Sequence, residues 1–274
     1  MQETAATRIQ KIMRGFLAKK QVRIKEHNDF QEVVQASGAT MIQRIVRGFL
    51  AREQVVRKKD YKYLEEMGFG KQQISGFSPE DKKQLITEYK RYEIPEEIKG
   101  QIDRLSDKNA QLNFKELNLT TGQLCKILDY IKIQNKLTLI KQLYLMRNKL
   151  TFLPDSIGKL TSLQELDLHY NELKKIPESI GKLSSIQLLD LSVNHLSILP
   201  ESIWNLSAIK KLFLNHNKLK TLPEMIVNLK FLRQVSIRNN DDIHRLPKGL
   251  NLLKELEELE TDKYLELCKI NLLI

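Results

Sequence analysis

One short pattern recurs with a fixed 23-residue step between Leu143 and Pro247. It reads Leu-x-Leu-x-x-Asn-x-Leu-x-x-Leu-Pro, with Ile or Val in place of some leucines. The asparagines of its five copies are Asn148, Asn171, Asn194, Asn217 and Asn240, and the fifth copy closes one residue late. A fixed period of this length predicts a solenoid, because each unit can bury its apolar face only by stacking on its neighbours.

Each conspicuous position in the pattern has a structural role. Alternating leucines such as Leu143 and Leu145 predict a short strand with one face in the core. The asparagine amide can satisfy backbone groups at the turn, and the proline ends the extended segment. Ile157 and Leu160 supply apolar contacts for the return path. The pattern resembles the short class of leucine-rich repeat, which implies an α/β solenoid with short parallel strands on its concave face.

A second repeat lies near the start of the chain, where residues 7–19 return as residues 40–52. Apolar residues at i, i+3, i+4, i+7 and i+8 predict an amphipathic helix with basic flanks in each copy. Both copies resemble the IQ motif at all five defining positions. The resemblance implies that calmodulin or a related EF-hand light chain binds Ile9, Gln10, Met13, Arg14, Gly15, Phe16, Lys19, Ile42, Gln43, Val46, Arg47, Gly48, Phe49 and Arg52.

The net charge of +11 is concentrated in the first segment, since residues 1–62 hold 14 Lys and Arg against 6 Asp and Glu. This asymmetry predicts an acidic partner for the segment. Two full motif matches favour an EF-hand protein, whose lobes hold an amphipathic helix with a basic border. Nucleic acid or an anionic membrane is the alternative. Salt dependence separates the two, because phosphate binding collapses steeply as salt rises.

The sequence divides into five segments. They are a basic helical arm at 1–66 with IQ motifs at 7–20 and 40–53, a linker at 67–78, a helical N-terminal cap at 79–113, repeats at 114–249 and a C-terminal cap at 250–274. Gly and Ser suggest the linker, and Ser78-Pro79 is typical of a helix start. Phe114 begins a degenerate first repeat with Gly122 at the asparagine position. The C-terminal cap is expected to be helical.

The residues between the strand leucines are predicted to face outward on the concave side and to bind a protein partner. The candidate residues are Tyr144, Met146, Asp167, His169, Tyr170, Asp190, Phe213, Asn215 and Arg238. Aromatic residues mixed with single charges are typical of protein–protein hot spots, so Tyr144, Tyr170 and Phe213 are the expected anchors. The alternative is that these are ordinary solvated strand positions.

The sequence contains no phosphate-binding glycine loop, nucleophile elbow or zinc-type spacing of Cys and His. We therefore predict no cofactor, no metal site and no enzymatic activity. Asp167 and Asp190 fall on adjacent strands, and we interpret them as part of the binding face rather than as an acid–base pair. Two cysteines favour a reduced intracellular compartment, and no signal peptide or transmembrane segment is expected.

The combination resembles leucine-rich repeat and IQ-motif proteins, several of which are parts of cilia and flagella. It implies a non-enzymatic cytoplasmic adaptor that carries calmodulin or another EF-hand light chain, two copies in all, and docks a protein on its repeats. By the same resemblance, a ciliary axoneme or the cytoskeleton is its expected location. A third interpretation is a regulatory subunit that presents an enzyme to its substrates through the concave face.

Overall fold

The computed structural model describes residues 58–240 and 242–262. Backbone contacts place these residues, apart from Lys58, in one compact unit, Lys59–Ile274. Both IQ motifs lie outside the described residues, so their helices and the roles of their side chains stay predictions. None of the helices in the described part of the chain combines the length and apolar character that a membrane crossing needs.

The described residues form a short helical region followed by a parallel sheet. Residues 58–66 are helical. The further helices are α1 (Lys71–Ser75), α2 (Pro79–Arg91), α3 (Glu96–Asp103) and α4 (Thr121–Ile133). The strands are β1 (Gln111–Asn113), β2 (Gln142–Tyr144), β3 (Glu165–Asp167), β4 (Leu188–Asp190), β5 (Lys211–Phe213), β6 (Gln234–Ser236) and β7 (Glu258–Glu260). Short 3-10 helices connect them at Leu137–Leu139, Asp155–Lys159, Glu178–Lys182, Glu201–Asn205, Glu224–Asn228 and Lys248–Leu252.

The 23-residue period of the sequence corresponds to the step from one strand of the sheet to the next. All seven strands are parallel and pair in chain order. Leu143 pairs with Leu166, and Leu166 with Leu189. These side chains are at most 1% exposed, as are the equivalent Leu212 and Val235 of β5 and β6. The predicted α/β solenoid of short parallel strands is therefore confirmed.

Each repeat after the first returns through a 3-10 helix. Pro154 is the N-cap of the helix Asp155–Lys159, and Ile157 and Leu160 are fully buried. The later repeats copy this arrangement, with Pro177, Pro200 and Pro223 as the N-caps. The buried residues of the strands and the 3-10 helices belong to one continuous hydrophobic core. Nearest-neighbour stacking thus buries what a single repeat would leave exposed.

The asparagines form a buried ladder. Asn171 Nδ2 donates to Leu168 O in its own repeat and to Leu145 O in the preceding repeat, both at 3.0 Å. Its Oδ1 accepts from Leu150 N, again in the preceding repeat, at 3.1 Å. The same three bonds recur at Asn148, Asn194, Asn217 and Asn240. The predicted role of the asparagine is confirmed, since its amide satisfies backbone groups that the turn would leave unpaired.

The residue before each asparagine has left-handed backbone geometry. Its φ is between 52° and 55° in these five repeats, at Arg147, Tyr170, Val193, His216 and Asn239. The turn at this position directs the following asparagine into the core. Left-handed geometry is costly for a β-branched residue such as Val193. The three buried hydrogen bonds of Asn194 offset that cost.

The sheet starts earlier than the sequence predicts. Leu112 of β1 pairs with Leu143, so the first repeat begins inside the predicted N-terminal cap. The assignment of Gly122 to the asparagine position is wrong, because Gly122 lies in α4 and Leu117 stands where the asparagine would be. The return path of this repeat is a 13-residue α-helix instead of a short 3-10 helix, so the 23-residue period does not locate it.

Residues 67–78 are folded, and their interpretation as a linker is wrong. They contain α1 and bury Met67, Phe69, Ile74 and Phe77 against Leu85, Ile86 and Cys125. Gly70 N donates to Asp155 Oδ2 at 2.7 Å, and Ser156 N donates to Gly68 O at 2.9 Å. The glycines permit this close approach, because a Cβ at Gly70 would lie 2.1 Å from Asp155 Oδ2.

The two ends of the solenoid differ from each other. At the start, Ser78 caps α2 in a capping box with Asp81, as the Ser-Pro sequence predicts. Ile98 and Ile102 of α3 join the repeat core. At the other end, residues 250–252 complete the 3-10 helix Lys248–Leu252, and the repeat pattern continues through β7. The described part of the predicted C-terminal cap therefore contains no α-helix. Residues 263–274 lie outside the described part.

Candidate functional site

The nine predicted partner-binding residues all lie on the outward side of the sheet, which we call the concave face. Seven of them are half-buried, whereas Tyr170 and Arg238 are exposed. Tyr170 is 51% exposed, an unusual value for a large aromatic side chain. The structure therefore places these residues on one accessible surface. Their role in binding stays a prediction.

The aromatic residues of the concave face are held by charged neighbours. Arg147 Cζ lies 5.5 Å from the centre of the Tyr170 ring, and Lys115 Nζ lies 4.6 Å from that of Tyr144. Tyr144 Oη donates to Glu165 Oε2 at 2.8 Å. Burial and this carboxylate acceptor raise the pKa of Tyr144 to about 12. Such contacts restrict the rings, which lowers the entropy cost when a partner binds them.

Asp167, His169 and Asp190 form a compact polar cluster at the middle of the concave face. Asp167 and Asp190 are register partners on β3 and β4. His169 Nδ1 lies 2.7 Å from Asp167 Oδ1 and 3.9 Å from Asp190 Oδ2. Ser192 donates to Asp190 Oδ1 from its backbone N and from its hydroxyl. Burial is the main cause of a raised pKa for Asp190.

Sequence reasoning missed one column of the concave face. The residue before the first strand leucine also points outward in each repeat. This column comprises Gln111, Gln142, Glu165, Leu188, Lys211, Gln234 and Glu258. The alternation of the strand was the available signal, because it places residues i and i+2 on one face. By contrast, Ser192 and Ser236 are 6% and 1% exposed, although their positions are those of the predicted columns.

A cleft of about 500 Å³ lies away from the strands, beside the 3-10 helices. It is lined by Glu65, Phe69, Asp155, Lys159, Glu178 and Lys182, among others. Its walls include both acidic and basic side chains. Sequence reasoning missed it because one wall is formed by the segment that was interpreted as a linker.

Comparison with protein families agrees with both sequence patterns. The leucine rich repeat family matches residues 138–196. The IQ calmodulin-binding motif matches residues 3–23 and 37–56, which contain both predicted motifs. No curated protein matches the chain.

Several solved leucine-rich repeat and receptor structures are similar to the chain. A leucine-rich repeat protein of Leptospira interrogans has 23% identity over 61% of this chain, with a TM-score of 0.45. A TDR receptor has 31% identity over 49% of this chain, with a TM-score of 0.43. The plant peptide hormone receptor RGFR1, solved in complex with RGF2, has 28% identity over 57% of this chain, with a TM-score of 0.47. The alignments span 54%, 23% and 25% of those chains.

The fold and the motif matches agree on the architecture of the chain. The chain is a leucine-rich-repeat solenoid that carries two IQ motifs ahead of its repeats. IQ motifs suggest calmodulin binding, and leucine-rich repeats suggest protein–protein interaction. Both families are typically interaction modules without catalytic chemistry.

Proposed function

We propose that this protein is a non-enzymatic adaptor that links EF-hand light chains to a protein partner. Two complete IQ motifs in one basic segment are the observation that carries the proposal. Each motif holds one light chain, calmodulin or a relative, and the solenoid docks the partner on its concave face.

The arm binds its light chains through apolar and basic contacts together. Ile9, Met13 and Phe16 supply one apolar stripe, and Ile42, Val46 and Phe49 supply the other. The flanking arginines and lysines meet the acidic rim of an EF-hand lobe. A bound light chain stabilises the helix it encloses, because binding only the helical state shifts the equilibrium towards it. Calcium then changes the conformation of the lobes and with it the geometry of the arm.

The solenoid binds its partner through aromatic anchors. Tyr144, Tyr170 and Phe213 lie on β2, just after β3 and on β5, so they span the centre of the concave face. Tyr144 and Tyr170 already contact charged neighbours, and aromatic side chains of this kind are typical binding anchors. Membership of a ciliary or cytoskeletal complex is a further part of the proposal and rests on the resemblance to ciliary proteins of the same two-motif type.

Native mass spectrometry of the full chain with calmodulin tests the arm. We expect two calmodulins per chain in the presence of a calcium chelator. Replacing Ile9 and Gln10 by Ala should reduce this to one, and so should the matched replacement of Ile42 and Gln43. The quadruple variant should bind none. A complex of unchanged stoichiometry in the quadruple variant would contradict the proposal, as would binding that disappears at moderate salt.

Proximity labelling in ciliated cells tests the concave face and the location at once. The Tyr170→Ala/Phe213→Ala variant should lose a labelled neighbour that the wild type and a Phe231→Ala control both keep. Phe231 is a suitable control, because it is 59% exposed but lies outside the strands. Identical labelling by all three proteins would exclude the aromatic anchors. Labelling that contains no ciliary or cytoskeletal protein would exclude that location.

A further inference from the structure

In the cluster of Asp167, His169 and Asp190, the Asp167 carboxylate accepts a hydrogen bond from His169 N and the Asp190 carboxylate accepts two from Ser192. In the described residues, neither carboxylate has a Lys or Arg within ion-pair distance, and His169 is their shared ionisable partner. The three side chains are only 14%, 22% and 21% exposed. Carboxylates that are largely withdrawn from water need a cation or hydrogen-bond donors nearby.

The donor atoms have the spacing of a metal site. One ligand atom from each residue lies within 4.8 Å of the others. The two distances from His169 Nδ1 are 2.7 Å to Asp167 and 3.9 Å to Asp190. In a tetrahedral zinc site with bonds of about 2.0–2.1 Å, ligand atoms are separated by roughly 3.4 Å. The observed separations bracket this value, so side-chain shifts of about 1 Å would bring all three atoms onto one ion.

The surrounding backbone already orients the ligands. Ser192 occupies Asp190 Oδ1 with two hydrogen bonds, which leaves Oδ2 on the side of His169. His169 N donates to Asp167 Oδ1 at 3.2 Å and ties that carboxylate to its own strand. Because β3 and β4 are in register, the two carboxylates cannot slide past each other. Hydrogen bonds that orient ligands in this way are typical of the second layer of metal sites.

We propose that Asp167, His169 and Asp190 bind a divalent transition-metal ion, with Zn²⁺ as the best match. An imidazole nitrogen with two carboxylate oxygens suits Zn²⁺, whereas Ca²⁺ and Mg²⁺ prefer ligand sets made of oxygen alone. The three protein ligands leave at least one coordination position open towards the concave face. A water molecule or a side chain of a bound partner completes the site. The proposal is independent of the light-chain function of the arm.

Isothermal titration of the metal-free full chain with ZnCl₂ tests the site. We expect one saturable site that His169→Ala and Asp190→Asn each weaken by at least about tenfold. Asn at position 190 keeps the shape of the side chain and an oxygen that accepts from Ser192. His195→Ala and Asp107→Asn are the matched controls, since both residues are exposed and lie outside the cluster. Both controls should bind Zn²⁺ as the wild type does.

Cobalt supplies a second readout that does not depend on affinity. Co²⁺ bound by the wild type should show the intense visible bands of a tetrahedral site, and the Asp190→Asn variant should lose them. Circular dichroism establishes that the variants are folded. No saturable Zn²⁺ binding, or equal binding by all five proteins, would overturn the proposal and reduce any bound metal to an adventitious ion only.

Discussion

At the scale of single residues, the asparagine ladder is the most demanding feature of the fold. Each asparagine is buried and makes hydrogen bonds to two repeats, so no other side chain fits without leaving backbone groups unpaired. At the apolar positions, Val and Ile can replace Leu, as Val235 and Ile237 do in the fifth copy. The polar position therefore constrains the repeat more strictly than the apolar ones.

Replacing Asn171 by Ala should lower the free energy of unfolding by about 3 kcal/mol. Leu150 N would be left unpaired, and a buried unpaired group costs about 1–3 kcal/mol. Leu145 O and Leu168 O would each lose one of their two amide donors, at about 0.5–1.5 kcal/mol per hydrogen bond. Asn205→Ala is the control, because Asn205 is exposed and such changes stay within about 0.5 kcal/mol. Urea denaturation of both variants measures the difference. Equal midpoints for the two would show that the ladder does not stabilise the fold.

Tyr144 should make stability depend on pH in the alkaline range. Its pKa is 10.0 in the unfolded chain and about 12 in the fold, because burial and Glu165 favour the protonated hydroxyl. The stabilisation is therefore complete below pH 10 and is lost as pH rises from 10 to 12. The stability difference between wild type and Tyr144→Phe should be constant up to pH 10 and shrink above it. Denaturation at pH 8 to 11.5 measures this, with Tyr170→Phe as a control.

At the scale of elements, the contact between α2 and α4 attaches the N-terminal helices to the first repeat of the solenoid. Tyr89 Oη of α2 donates to Asp129 Oδ2 of α4 at 2.6 Å, a hydrogen bond that is half-buried. Burial raises the pKa of Asp129, while this hydrogen bond lowers it. Gly122, at the start of α4, lets α4 approach α2 closely beside Leu85 and Glu88, and Gly122 N donates to Glu88 Oε2 at 3.3 Å. Gly122 therefore serves helix packing and not the turn of the repeat, which lies before α4.

Two Gly→Ala variants should change stability in opposite directions. A Cβ at Gly122 would lie 2.6 Å from Glu88 Cβ and 2.8 Å from Leu85 O, so Gly122→Ala should destabilise the fold by about 1–3 kcal/mol. A Cβ at Gly100 of α3 would come no closer than 3.9 Å to Arg104, so Gly100→Ala should stabilise it by about 0.4–1 kcal/mol. Thermal denaturation compares them. If Gly122→Ala also stabilised the fold, helix propensity would outweigh packing at the contact between α2 and α4.

At the scale of the whole described unit, stability is built from neighbour contacts along one axis. The residues before the sheet have their own small core, which includes Leu64, Phe69, Ile74 and Phe77. Phe77 packs against Phe152 at a ring-centre distance of 4.7 Å, so this core is attached to the second repeat. In such an arrangement a local defect weakens the adjacent units more than the distant ones.

Phe77→Ala should therefore raise amide hydrogen exchange in residues 58–91 and leave β4 to β7 unchanged. Leu189→Ala, in the middle of the sheet, is the matched cavity variant and should raise exchange in β3 to β5 instead. Hydrogen–deuterium exchange measured by mass spectrometry resolves the two patterns. A uniform increase along the whole chain in either variant would indicate all-or-none unfolding.

The sequence predicts the solenoid because one period controls strand register, core and turn together. It predicts α2 from Ser78-Pro79 and the outward position of Asp167 from strand alternation. The exposure of Tyr170 depends instead on the left-handed backbone geometry that precedes Asn171. It does not predict β1, since α4 lengthens the first repeat and Leu117 replaces the asparagine. It misjudges residues 67–78, because glycines used for close packing have the composition of a linker. The sequence places Asp167 and Asp190 on adjacent strands, but it does not predict that His169 Nδ1 contacts both carboxylates, because this depends on the side-chain geometry after β3.

The direction of the asparagine ladder has an evolutionary consequence. Every asparagine reaches back to the repeat before it, and the first repeat has Leu117 at this position, 41% exposed, where no earlier repeat exists. An in-frame duplication of one 23-residue unit would thus supply its own asparagine. The backbone groups that bond to this asparagine would already be present in the unit itself and in the preceding repeat. A gene of this kind can grow or shrink by whole repeats without creating an unpaired buried group. A one-residue insertion after the asparagine is also compatible with the ladder, since the fifth copy closes one residue late and Asn240 keeps its hydrogen bonds.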